Sequence, residues 1–238
     1  ALNYSRSLPD FLCLQVTRRS VDMHYQPGGQ PSWSQTDRLA EKLSFVDHHE
    51  NYELISHNEN ALFGKTWESV GGALSRGEWA SLLQAIFDPG TDTDFRWLRW
   101  GNLSNKLYHV YQYRVDKAHS KETLDYQRTQ QVTPAYHGLI YVPVDASVIW
   151  RITVEPEIPS EFPMQDVKET LKYDYVEISG QRFLLPLSSE VTMRTGRIAN
   201  RNEIDFRQYR KYSADTTIKF DDVDEPPAEN QTPEKPKQ

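Results

Sequence analysis

Apolar and polar residues alternate along most of the chain, which is the pattern expected of half-buried β-strands. The clearest example is residues 107–115, where the odd positions from Leu107 to Val115 share one face and the even positions from Tyr108 to Arg114 share the other. Because both faces carry apolar or aromatic groups, we expect this strand to belong to a sheet that is covered at least partly on each side.

Similar patterns, separated by turn signals, predict strands over much of the remaining chain. The predicted strands are residues 11–21, 38–45, 52–56, 95–100, 107–115, 123–132, 136–142, 148–154, 168–178, 182–185, 190–194, 201–212 and 216–220. Short strands at this spacing are typical of an antiparallel sheet with hairpin connections.

One amphipathic helix is predicted over residues 75–88. Ser75 and Glu78 have the spacing of a capping box, which satisfies backbone amide donors at the start of a helix. The apolar residues that follow recur at helical spacing on a single face: Trp79, Leu82, Leu83, Ile86 and Phe87. Pro89-Gly90 ends the helix. The Gly71-Gly72 pair predicts a flexible segment over residues 69–73, which would let the helix shift as a lid.

Composition and charge exclude several classes of protein. Nine Phe, six Trp and thirteen Tyr among 238 residues exclude a wholly disordered chain. No apolar run approaches the length of a membrane-spanning helix, and we expect no transmembrane segment. Residues 1–220 hold 28 acids and 25 bases, a balance that gives no electrostatic footprint for nucleic acid. It leaves open a local basic patch at Arg194, Arg197, Arg201, Arg207, Arg210 and Lys211, which on a strand pair is more typical of a solvated face.

The C-terminal segment differs in composition from the rest. Residues 221–238 contain six acids, two lysines and several prolines, with few apolar residues. We therefore divide the chain into a folded domain, residues 1–220, and an acidic, Pro-rich disordered tail, residues 221–238.

The chain contains one cysteine, Cys13, which excludes an intrachain disulfide. Phe11-Leu12 precede it, whereas a lipidated cysteine follows small residues, and we expect a buried, inert thiol. The first residues lack the basic start and apolar core of a signal peptide.

The sequence gives little support for a catalytic or metal-binding site. Residues 47–50 (Asp-His-His-Glu), with His57 nearby, are the best metal-like cluster, but neighbouring strand residues point to opposite faces. The chain has no His-Glu-x-x-His, nucleophile-elbow or phosphate-loop motif. We expect no catalytic residues, metal or cofactor, and a hydrolase that uses scattered Ser, His and Asp residues is the disfavoured alternative.

The abundance of large aromatic residues supports a ligand-binding hypothesis. These side chains could be plain core, or part of them could line an apolar cavity in which Arg96, Arg99 and His109 are the polar groups. Strict alternation places Trp97 and Trp100 on opposite faces of their strand, so we expect at most one to line a given cavity. The candidate ligand-binding residues are Trp79, Leu83, Phe87, Trp97, Arg99, His109, Tyr111, Tyr113 and Trp150.

Three sets of predicted strands carry a resemblance to known proteins. The first is Tyr136-His137-Gly138-Leu139-Ile140-Tyr141-Val142 with Val148-Ile149-Trp150-Arg151-Ile152, and the second is Tyr173-Asp174-Tyr175-Val176 with Gly180-Gln181-Arg182-Phe183-Leu184-Leu185-Pro186. The third is Phe206-Arg207-Gln208-Tyr209-Arg210-Lys211-Tyr212. These strands resemble those of the LolA-like superfamily, which comprises the lipoprotein carriers LolA and LolB and the envelope-stress regulator RseB. The opening residues 8–19 resemble uncharacterised secreted bacterial proteins of this kind, notably acidobacterial ones.

This resemblance implies an α+β, mostly β fold: a strongly curved antiparallel sheet, or open half-barrel, with one or two helices as a lid on the concave face. It implies a non-enzymatic periplasmic or otherwise secreted protein, with its leader removed, that holds a lipid, an acylated protein or another apolar ligand between helix and sheet. The alternative is an envelope protein-interaction or regulatory domain with a solid core. The ligand-contacting arginine of the carriers has no counterpart that the sequence identifies.

Overall fold

The computed structural model describes residues 8–47, 49–58, 60–61, 70–73 and 80–212. Its elements in chain order are β1 (Phe11–Asp22), β2 (Ser34–Val46), β3 (His49–His57), β4 (Asn60–Ala61), α1 (Ala80–Phe87), β5 (Asp94–Leu103), β6 (Lys106–Val115), β7 (Leu124–Tyr126), β8 (Gln130–Val132), β9 (Tyr136–Pro143), β10 (Arg151–Pro156), β11 (Asp166–Ile178), β12 (Gln181–Thr195) and β13 (Ile198–Lys211). Within this part of the chain the protein is mostly β with one α-helix, as the sequence predicted.

Eleven strands form one sheet in the order β4-β3-β2-β1-β13-β12-β11-β10-β9-β6-β5, and β7 pairs with β8 in a separate small sheet. All of the pairings are antiparallel. Most neighbours in the sheet are also neighbours along the chain, which is the hairpin arrangement that the turn signals predicted. The exceptions are the β6–β9 pair, whose strands are separated along the chain by β7 and β8, and the β1–β13 pair, which joins the first and last strands within the sheet.

Two strand predictions were wrong in their boundaries. Residues 182–185 and 190–194 belong to one continuous strand, because β11 continues to pair across Pro186 with a register shift at Lys172/Tyr173. Residues 123–132 form the β7–β8 hairpin instead of one strand, because Gln127 and Arg128 adopt positive φ values of 52° and 56° and reverse the chain.

The main hydrophobic core covers one face of the sheet and joins helix α1 to strands from β1 to β13. Phe11 of β1 stacks on Phe45 of β2, with ring centroids 5.2 Å apart. A smaller cluster of Tyr108, Val110 and Tyr141 lies on the other face of β6 and β9. Strand β6 is therefore buried on parts of both faces, as its sequence predicted.

Helix α1 is anchored at both ends by hydrogen bonds to strands of the large sheet. The backbone amide of Ser81 donates to Glu50 Oε1 of β3 over 3.0 Å, and the Tyr136 hydroxyl of β9 donates to the carbonyl oxygen of Ala85 over 2.6 Å. Leu82, Leu83 and Ile86 are buried in the core, as the helical spacing predicted. The predicted start of the helix, including Ser75, lies outside the described residues.

Two further predictions concern Cys13 and the segment that contains Gly71-Gly72. Cys13 is fully buried in β1, as predicted, and burial raises the pKa of its thiol. The described part of the Gly-Gly segment contacts the sheet: Arg19 Nη1 donates to the Gly71 carbonyl oxygen over 2.5 Å, and Asn202 Nδ2 donates to that of Ala73 over 3.2 Å. The tail at residues 221–238 and the predicted strand at 216–220 lie outside the described residues.

Candidate ligand-binding site

Five ring side chains form a continuous surface on the hairpin of β5 and β6, and we call it the aromatic strip. Its members are Phe95, Trp97, Trp100, His109 and Tyr111. Ring centroids are 5.9 Å apart for Trp97 and Trp100, 4.4 Å for Trp100 and His109, and 6.3 Å for His109 and Tyr111. Phe95 continues the surface to the helix by stacking on Phe87 at 5.4 Å.

The expected separation of Trp97 and Trp100 on opposite faces is wrong. Trp97 pairs with Tyr111 and Trp100 pairs with His109, so that four residues of β5 lie opposite three residues of β6, with the register shift between Trp97 and Arg99. A β-bulge of this kind restarts the alternation of side chains. Both tryptophans consequently lie on the face of His109 and Tyr111.

The aromatic strip extends the face of the sheet that carries the main core, but it is itself exposed. Phe95, Trp97 and Trp100 expose 43%, 50% and 46% of their surface, whereas Tyr113, which pairs with Phe95, is fully buried. A contiguous exposed patch of large aromatic residues is uncommon on a soluble protein and is typical of a binding surface.

An open groove of about 350 Å³ lies beside the strip. Its wall is mostly aliphatic, and it is lined by His109, Tyr111, Val142, Pro143, Val144, Ala146, Ser147, Val148 and Ile149. Its volume is at the lower end of the range of small-ligand sites, and its polar side chains are His109, Tyr111 and Ser147.

The structure brings four of the predicted site residues together and separates the others. Trp97, His109 and Tyr111 belong to the aromatic strip, and Phe87 adjoins it. Arg99 pairs with Val110, which lies on the opposite face of β6. Trp150 is half-buried beneath the Lys106 ammonium group, 5.6 Å from its ring centroid.

Tyr113 and Leu83 are core residues. The Tyr113 hydroxyl donates to the Thr153 carbonyl oxygen over 2.9 Å, and burial raises the pKa of Tyr113 well above its ordinary value. Leu83 exposes 6% of its surface. Trp79 lies outside the described residues. The sequence did not identify the groove wall at residues 142–149, because its Pro and Asp residues indicated only a turn.

A cluster of polar side chains (Arg19, Asp37 and His57) lies on the face of the sheet that carries the main core, near the end of β1 that is away from Phe11. Arg19 Nε donates to Asp37 Oδ1 over 2.6 Å, and His57 Nε2 lies 3.0 Å from Asp37 Oδ2. Burial opposes ionisation of Asp37, but hydrogen bonds and charges from Arg19 and His57 outweigh it and lower the Asp37 pKa. These contacts join side chains of β1, β2 and β3 at this end of the strands.

In the structure, the residues of the predicted metal-like cluster contact separate partners. His49 Nδ1 lies 2.7 Å from the Asp47 carbonyl oxygen, Glu50 accepts from Ser81, and His57 contacts Asp37. Among the residues that the structure describes, no group of three or more His, Cys, Asp or Glu side chains converges as metal ligands would. His48 is outside the described residues.

Comparisons with known proteins give structural neighbours only. No protein-family model matches the chain, and no curated protein matches it significantly. Among solved structures, it is similar to a DUF1329 family protein from Desulfovibrio piger, with a TM-score of 0.41 and 10% identity, over 91% of this chain and 90% of that one. It is also similar to a LolA superfamily protein from Nitrosomonas europaea, with a TM-score of 0.35 and 11% identity, over 89% of this chain and 91% of that one.

None of the helices in the described part of the chain is long and apolar enough to cross a membrane.

Proposed function

We propose that this protein is a non-enzymatic binding protein for an apolar ligand, such as a lipid or an acylated protein, and that the aromatic strip and its groove are the binding surface. The proposal retains Trp97, His109, Tyr111 and Phe87 as ligand contacts and adds Phe95 and Trp100. It places the ligand beside helix α1, because the helix side chains that face the sheet are buried in the core.

The observation that carries this proposal is the exposure of three large aromatic residues on the same face as the hydrophobic core. Phe95, Trp97 and Trp100 are each 43–50% exposed. Fully burying such a side chain contributes roughly 1.5–3 kcal/mol, so an apolar ligand that covers two of them gains substantial affinity. Trp100 and Tyr111 also flank His109, which could contact a polar end of the ligand.

A strongly curved sheet, with helix α1 on its concave side, is part of the proposal. Strands β3 and β9 are seven positions apart in the sheet order, about 34 Å in a flat sheet. Ser81, which contacts β3, and Ala85, which contacts β9, are only about 6 Å apart along the helix axis. One short helix reaches both strands most simply if the sheet curls around it, which supports an open half-barrel.

A second candidate function is an envelope protein-interaction domain with a solid core. It is favoured by the dense packing on the inner face, where Phe11, Phe45, Tyr113 and Tyr136 are all buried. In this case the aromatic strip would contact a protein surface, and no small ligand would enter the fold. For either function we propose a periplasmic or otherwise secreted location, on the basis of the LolA-like resemblance.

Titration of delipidated protein with a fluorescent fatty acid tests the first candidate. We expect saturable binding, and we expect Trp100→Ala to weaken it at least about tenfold, because the lost contact is worth about 1.5 kcal/mol or more. Tyr175→Ala is the matched control, since Tyr175 is an aromatic residue of 42% exposure on β11, outside the strip.

The titration also separates the two candidates. Absence of saturable binding by the unmodified protein would contradict the ligand-binding proposal. If a partner recovered from envelope extract is then lost on Trp100→Ala but retained on Tyr175→Ala, the protein-interaction function is supported.

A further inference from the structure

The large sheet has two edge strands, β4 and β5. Within the residues that the structure describes, β4 comprises Asn60 and Ala61. Strand β5 forms the other edge with ten residues, and among the described residues its only strand partner is β6. Long, apolar edge strands are usually shortened, charged or covered, because their free backbone groups pair readily with another strand.

The first half of β5 is self-complementary in the antiparallel sense. Asp94 and Arg96 lie on one face of the strand, and Phe95 and Trp97 lie on the other. If a second β5 is placed antiparallel with Phe95 opposite Phe95, each Asp94 lies opposite the Arg96 of the other copy. Directly opposed Cβ atoms are about 4.5–5.5 Å apart, a separation at which carboxylate and guanidinium groups can pair.

The groups in this register are accessible. The side chains of Arg96 and Asp94 are 77% and 55% exposed, and they already form an ion pair of 2.7 Å within the chain. Phe95 and Trp97 are 43% and 50% exposed. Pairing would cover both aromatic rings and would satisfy the outer backbone groups of the strand.

The β-bulge between Trp97 and Arg99 limits the length of such a contact. A bulge disrupts regular pairing and is one way in which an edge strand avoids continuous addition. The favourable register is therefore confined to residues 93–97, where the charges match.

We propose that two copies of this chain associate through the edges of their β5 strands, antiparallel and with Phe95 near the two-fold axis. The resulting contact is isologous, since Asp94 of each copy faces Arg96 of the other. It joins the two large sheets through their edges and leaves Trp100, His109 and the groove accessible. The inference does not require the proposed ligand, but the contact covers Phe95 and Trp97 of the aromatic strip, so dimerisation and a ligand would compete for these two rings.

Sedimentation equilibrium of the full chain over a range of concentrations tests the association. We expect the mass to rise from 27.7 kDa to twice that value. Arg96→Asp places carboxylates opposite carboxylates, and Asp94→Arg places cations opposite cations. Each is expected to weaken the dimer at least tenfold, whereas Lys117→Asp, an exposed charge reversal outside β5, should leave it unchanged.

Mixing the two variants gives the sharpest test. The Asp94→Arg variant carries cations at both positions 94 and 96, and the Arg96→Asp variant carries carboxylates at both. An equimolar mixture should therefore form a heterodimer, although each variant alone dimerises only weakly. Circular dichroism checks that both variants are folded. A protein that is monomeric at every concentration, a dimer unaffected by either single change, or a mixture that stays monomeric would each overturn the proposal.

Discussion

At the scale of single residues, Gly138 shows how one position without a side chain holds three strands together. Gly138 lies on β9 opposite Tyr113 of β6, whose ring crosses it and whose hydroxyl reaches the Thr153 carbonyl oxygen of β10. A Cβ atom at Gly138 would overlap that carbonyl oxygen and lie 2.8 Å from Tyr113 Cε1. The glycine is therefore required by the close approach of its neighbours.

We expect Gly138→Ala to lower the free energy of unfolding by about 3 kcal/mol, because backbone and a buried ring must both move. Urea-induced unfolding, followed by circular dichroism, measures the change. Gly90→Ala is the control, since its Cβ would meet only the flexible Asp88 carboxylate at 3.3 Å. Equal effects of the two substitutions would contradict the steric argument.

A second prediction at this scale concerns Asp37 and pH. Its pKa is lowered in the folded protein because contacts with Arg19 and His57 outweigh the opposing effect of burial, and the unfolded value is about 3.9. The unfolded chain therefore binds more protons in the acid range, and the Asp37 contribution to stability is present above about pH 4 and lost as pH falls through the lowered pKa.

Asp37→Asn should flatten this acid dependence of the free energy of unfolding, measured between neutral pH and the acid range. Arg19→Gln should flatten it as well, because the guanidinium that lowers the Asp37 pKa is then absent. If the slope of stability against pH is the same in all three proteins, the Asp37 cluster does not govern the acid response.

At the scale of elements, helix α1 acts first as part of the core. Leu83 and Ile86 are 6% and 0% exposed, while Gln84 between them faces solvent. Phe87, at the end of the helix, is partly buried and stacks on Phe95 of the aromatic strip. The helix therefore connects the packed interior to the candidate binding surface.

Leu83→Ala should lower the free energy of unfolding by about 2–5 kcal/mol, as expected for a buried leucine. Gln84→Ala on the same helix should change it little. Both are measured by denaturant unfolding. A small loss for Leu83→Ala, accompanied by weaker fatty-acid binding, would instead indicate that α1 is a loosely docked lid.

At the scale of the whole molecule, one hydrophobic cluster and one short helix connect strands that are far apart in the sheet order. Phe45 of β2 and Tyr113 of β6 belong to the same core, and α1 contacts both β3 and β9. A protein connected in this way should unfold as one cooperative unit.

Phe45→Ala tests this connection, and we expect it to cost about 3–5 kcal/mol. The denaturation midpoint should fall equally whether it is followed by far-ultraviolet circular dichroism, which reports the whole sheet, or by tryptophan fluorescence, to which Trp97 and Trp100 of the distant β5 contribute. Separate transitions for the two signals would show that the two ends of the sheet unfold independently.

Local periodicity determined most of the secondary structure. Alternation located the strands at residues 107–115 and 136–142, and the apolar spacing of Leu82, Leu83 and Ile86 located the helix and its buried face. These features follow from contacts between residues close in sequence, so they can be read without knowing the tertiary structure. The burial of Cys13 and the antiparallel arrangement followed in the same way.

Only the tertiary structure decided which aromatic residues share a surface. The bulge between Trp97 and Arg99 is defined by the pairing of β5 with β6, and it reverses the face on which Trp100 lies. The same is true of Arg99, which alternation made a candidate ligand contact and pairing places opposite Val110. A strand's register depends on its partner strand, and one extra residue moves every later side chain to the other face.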